Sequence, residues 1–93
     1  MKLYLNKGET TQFHCHPVLT FGYILSGQLE VETKEGRKKL FVQGDSVIEV
    51  MRTVHRGKAI DGAVDLVVFY AGAVSIPNTV FPEKDPEHQY CNN

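Results

Sequence analysis

Six short runs along this chain read as β-strands, and no stretch of useful length carries a helical period. The runs fall at residues 10–16, 21–25, 28–33, 37–42, 46–51 and 64–70. Most are rich in Val, Ile, Leu, Phe and Tyr and are bounded by Gly, Pro, Asp or charged residues. "TKEGRK" (33–38) carries a glycine where a hairpin needs positive φ. "QGD" (43–45) and "IDGA" (60–63) are further turn signals. Many short strands with turns at regular intervals predict an all-β sandwich or small barrel. From residue 75 onward the chain holds three of its four prolines and turns polar. The expected organisation is therefore one barrel over 1–80 and a tail over 81–93. The tail is expected to be extended or disordered, partly packed through Val80 and Phe81 and loose after Lys84.

Length and charge narrow the function classes. Ninety-three residues make one small domain with little stability to spare, which a metal or a dimer interface can supplement. A net charge of −1 argues against nucleic-acid and polybasic membrane surfaces. No run approaches the ~18 apolar residues of a membrane span, and "MKLYLNKGETT" turns polar too soon for a signal peptide. The expected location is the cytoplasm, where Cys15 and Cys91 are expected as free thiols, although they could pair.

His14 and His16 lie two apart on a predicted strand. Alternate strand residues share a face, with Cα atoms ~6.6 Å apart, so two imidazoles can converge on one ion. His55, after a later strand, can supply a third nitrogen if its strand end lies beside the first. A His-x-His pair by itself is equally compatible with ordinary surface or core histidines.

The glycines around the histidines add a second pattern. Gly8, five residues, His14, one residue, His16, three residues, Thr20, six residues and Gly27 resemble the first motif of the cupin family. Gly44, five residues, Val50-Met51-Arg52, two residues and His55 resemble the second. The resemblance runs from Gly8 to about Ala73 and is nearest to the small single-domain Cupin-2 type. It implies a jelly-roll β-barrel. It also implies a metal held by two histidines and a glutamate of the first motif and one histidine of the second. His14, His16 and His55 match ligand positions, whereas the glutamate position is Thr20. Val50 and Arg52 replace the usual Pro and Gly, and Ala59 replaces the closing Asn.

Three imidazoles suit a divalent transition metal such as Fe, Mn, Ni or Zn. Loss of the carboxylate leaves a coordination position open unless Thr20, water or another side chain fills it. Strand parity puts Glu49 on one face with Val47 and Met51, and the family register turns that face inward. Glu49 is then a candidate fourth ligand or base. The alternative is a register slipped by one, which leaves Glu49 solvated. Gln12 and Thr20 share the ligand face and are candidate substrate contacts. Arg52 and Arg56 could pair with Glu49 or bind an anion, or be ordinary surface charge. Thr20 and Gly22, both small, are expected to leave space beside the metal. Cys15 faces the other way. Tyr23, Phe13 and Phe21 could pack a homodimer, Phe69 and Tyr70 are core or interface residues, and His88 is a solvated tail histidine. The function these features suggest is a metal-dependent enzyme (dioxygenase, isomerase or lyase type) acting on a small polar metabolite. The alternatives are a non-catalytic small-ligand-binding protein and a purely structural metal site.

Overall fold

The structure is a computed structural model, and it describes residues 1–92. Five strands carry the fold: β1 (Lys2–Leu5), β2 (Leu19–Thr33), β3 (Lys38–Val42), β4 (Ser46–Glu49) and β5 (His55–Ala71). There is no α-helix among the described residues, only a turn of 3-10 helix at Pro82–Lys84. All pairing is antiparallel.

Two long strands serve both layers. The first half of β2 pairs with β4 and with the second half of β5. The second half of β2 pairs with β3 and with the first half of β5. β1 adds to the outer edge of β5. The two layers close on a core that includes Leu5, Ile24, Leu29, Val47, Val64 and Leu66, as a jelly roll does.

The bend between layers explains two departures from the sequence expectation. Ser26-Gly27 reads as the end of one strand and the start of another, yet β2 runs through it. Gly27 has φ 89°, and a Cβ there would lie 2.2 Å from the Ala63 carbonyl oxygen. Only glycine permits that approach. Opposite it, the register jumps from Ile60 to Asp65 across a bulge, with Asp61 at φ 60°. "IDGA" is thus a bend inside β5 and does not separate two strands. The run expected over 10–16 is not a regular strand. It follows β5 and the tail through single bridges, Thr10 to Lys58, His14 to His55 and Cys15 to Val80.

The cysteines are not free thiols: Cys15 and Cys91 form a disulfide, with Cα atoms 5.7 Å apart. They join Val54 and Val80 in a second small core, against which Phe13 and Tyr90 pack. Nor is the chain loose after Lys84. The Asp85 carboxylate accepts backbone N–H bonds from Gln89, Tyr90 and Cys91 at 2.8 to 3.0 Å. These donors, Cys91 foremost, hold its pKa below the usual range.

Candidate metal centre

His14 and His55 sit directly opposite each other and exchange both backbone hydrogen bonds, at 2.9 and 2.8 Å. Their side chains therefore emerge on the same face. His16, two residues on, is held by its carbonyl, which accepts from the Arg52 N–H at 2.8 Å. The three rings lie with centroids 4.5 to 5.0 Å apart.

Each ring is oriented by a backbone carbonyl on its Nδ1. Nδ1 of His14 faces the Gln12 oxygen at 2.7 Å, that of His16 the Asn78 oxygen at 3.0 Å, and that of His55 the Thr53 oxygen at 2.9 Å. A carbonyl only accepts, so each Nδ1 carries the proton. The Nε2 atoms are left to converge, and the three rings offer nitrogens within 4.8 Å of one another, a group that could hold a metal ion.

Glu49 does face inward. Its Oε2 lies 2.9 Å from His16 Nε2 and 3.0 Å from His55 Nε2. It also stands directly opposite Thr20 on the paired strand. β4 thus brings a carboxylate beside His16 and His55 from the strand paired with position 20. Thr20 is buried and its hydroxyl donates to the Val18 carbonyl at 3.0 Å, so it turns away from the ligand role. Gly22 likewise makes no empty pocket. It stands opposite Val47, whose Cβ would meet a Cβ added there at 3.6 Å. The two small residues accommodate the Glu49 and Val47 side chains.

The cluster is poorly satisfied by itself. Glu49 Oε2 and His55 Nε2 are buried and have no hydrogen-bond partner: with the proton on Nδ1, Nε2 turns a lone pair toward the carboxylate oxygen 3.0 Å away. Ligand atoms each ~2.1 Å from one ion lie about 3 to 3.4 Å apart, which matches these separations. The donor set and the orphaned atoms fit a divalent transition metal. Burial pushes the Glu49 carboxyl up, but the neighbouring His16 and His55 imidazoles outweigh it and hold it at about 2. Burial pushes His55 down, yet Glu49 leaves it raised overall. His14 is lowered, by burial first.

Of the remaining candidates, Gln12 is exposed and lines the opening beside His14, His16 and Tyr70. Arg52 is engaged with the tail. Its guanidinium donates to the His88 and Gln89 carbonyls and to Asn92 Oδ1. It occupies the family's glycine position with φ 69°, a strained conformation for arginine. Arg56 pairs with Glu32 at 2.8 Å and covers the Phe13 ring, so it does not reach Glu49. Phe13 is thereby removed from the face carrying Phe21 and Tyr23. Sequence reading missed the roles of Asn78 and Thr79. They reach His16 from 62 and 63 residues away, and no local signal marks such a contact.

A family model described as a cupin domain matches residues 1–72. No curated protein matches the chain by sequence. Among solved structures it is similar to the DMSP lyase DddQ from Ruegeria pomeroyi DSS-3. That match has 21% identity and a TM-score of 0.75, and covers 90% of this chain and 42% of the other. It is also similar to an oxalate oxidase, at 19% identity and a TM-score of 0.70, covering 86% of this chain and 43% of the other. A cupin-like protein from Thermotoga maritima matches at 16% identity and a TM-score of 0.73, covering 86% and 60%. The chain spans less than half the length of the lyase and oxidase chains, and at these identities the likeness is one of fold. With 72 of its 93 residues matched by the family model, the chain belongs to the cupin family.

Proposed function

We propose that this cupin is a metal-dependent enzyme acting on a small polar metabolite, with His14, His16, His55 and Glu49 as the ligands of a divalent transition metal (Fe, Mn, Ni or Zn). The observation that carries it is the convergence of three Nε2 atoms whose Nδ1 partners are all backbone carbonyls. The metal supplies a Lewis acid for a substrate oxygen. Glu49 Oε2 lies within 3.0 Å of the Nε2 atoms of two of the other ligands, which favours Glu49 as ligand over base. Gln12 stands at the opening where it can orient a substrate. A cavity of about 70 Å³ reaches the histidines and Glu49, which favours access over a sealed structural site. The Cys15–Cys91 disulfide favours an oxidising compartment over the cytoplasm.

Metal analysis after purification without added metal tests the core of this. At least half an equivalent, or its recovery on reconstitution, is expected in wild type and in His88→Ala, and loss is expected in His14→Ala and His55→Ala. Less than about a tenth of an equivalent, unchanged by reconstitution, sinks the metalloenzyme.

We also infer a homodimer. Tyr4, Phe21, Tyr23, Ile48 and Phe69 point out of one layer and are each at least 38% exposed. Light scattering at tens of micromolar is expected to give a dimer that Phe21→Asp converts to monomer. A monomeric wild type overturns this.

A further inference from the structure

β3 and β4 pair with different halves of β2 and not with each other. Their free edges leave a groove of about 190 Å³ that runs inward to Glu49 and His55. Its floor is apolar, formed by Val31, Phe41 and Val47. Its rim carries Arg37 and Lys39, and Glu49 is the one carboxylate along it, while Lys38 stands opposite Glu32 and turns to the other face.

Two observations bear on the rim cations. None takes part in a salt bridge among the described residues, while nearby Arg56 does. Glu49 does not pair with them: its Oε2 is turned toward His16 and His55, at 2.9 and 3.0 Å from their Nε2 atoms. Lys39 also points to the apolar side. It stands opposite Val31, shares a strand face with Phe41, and has its ammonium 5.2 Å from that ring's centroid. An inward lysine on an edge strand can serve only to discourage edge pairing. Here it stands with Arg37 at the entrance of an apolar groove that also reaches the candidate metal ligands Glu49 and His55.

We infer that this groove binds a small organic anion. Its carboxylate would lie on Arg37 and Lys39, its short aliphatic body on Val31, Phe41 and Val47, and its far end toward Glu49 and His55. Unpaired cations give the anion its head-group site, and the apolar floor rewards chain length. This names the substrate class for the function proposed above and rests on it for the reaction, but not for the binding.

The test is a chemical-shift titration of zinc-loaded and metal-free protein with hexanoate, acetate and 1-hexanol. Hexanoate is expected to bind at least about tenfold more tightly than either comparison ligand. Arg37→Ala/Lys39→Ala is expected to weaken hexanoate at least about tenfold, more so at low salt, and to leave zinc affinity unchanged. Lys58→Ala, on the outer face, should change hexanoate binding less than about twofold. Equal binding of hexanol, or unchanged hexanoate binding in the double variant, overturns the proposal and leaves Lys39 as an edge guard. If zinc fails to bind but the hexanoate pattern holds in metal-free protein, the metalloenzyme fails and the anion groove stands.

Discussion

Removing the Cys15–Cys91 link, by Cys15→Ser/Cys91→Ser or by reduction, is expected to lower unfolding stability by about 4 kcal/mol. The residues it joins are 76 apart in sequence, so it constrains most of the unfolded chain. A chain of this size has only about 5 to 14 kcal/mol in total, so the reduced protein is marginal. The melting temperature should fall by roughly 20 °C. The loss is local as well as global. Cys15 lies between His14 and His16, and its N–H and carbonyl both bond Val80. The tail that Cys91 anchors also supplies the carbonyls holding Arg52, whose N–H holds the His16 carbonyl. Thermal melts with and without a non-chelating reductant check this. Two titratable thiols in the protein denatured without reductant, or melts that coincide, would show that the link does not form.

The family, the all-β class and the three histidines were legible because each rests on short-range pattern. Strand alternation places His14 and His16 on one side, and glycine spacing marks the turns. Glu49 was legible for the same reason, since β4 keeps its parity through Val47. What sequence does not display is which strand lies opposite which. Thr20 looked like a lost ligand because its partner across the sheet, Glu49, is 29 residues away. Arg52 looked like a surface arginine near a site because its partners are tail carbonyls. The cysteines looked free because nothing local brings residue 91 back to residue 15. β1 was overlooked because "KLYL" is short, although its alternation, with Leu3 and Leu5 inward and Tyr4 out, matches the pairing with β5. The bent strand β2 looked interrupted and β5 looked as if it began only at residue 64, because the residues that allow a bend, Gly27 and Asp61-Gly62, are those that end strands elsewhere.

Glu49→Gln is the substitution that most directly tests the centre. It keeps the shape of the side chain and removes the charge beside two imidazoles. Zinc affinity, measured by chelator competition at pH 7.5, is expected to fall at least about 100-fold, the upper end for a residue that only supports a ligand. Glu83→Gln, on the exposed tail, should leave it unchanged. In metal-free protein the same substitution separates the charge pair by pH. Glu49 is depressed from its ordinary 4.5 to about 2, so its contribution is present above 4.5 and is lost as pH falls toward 2. His55 is raised from 6.5, so its contribution is present below 6.5 and is lost as pH rises through the raised value. The stability difference between wild type and Glu49→Gln in urea should therefore peak between pH 4.5 and 6.5 and shrink on both sides. His14 is lowered mainly by burial, which is the same in both proteins, and the Glu49 charge is the weakest influence on it, so it largely cancels from the difference. Metal binding must run the other way on the alkaline side, since protons leave the histidines when the ion enters. Zinc affinity should thus rise with pH through the range where the metal-free pair weakens. If zinc affinity survives Glu49→Gln while the pH-dependent difference remains, Glu49 is a partner of the histidines and not a ligand.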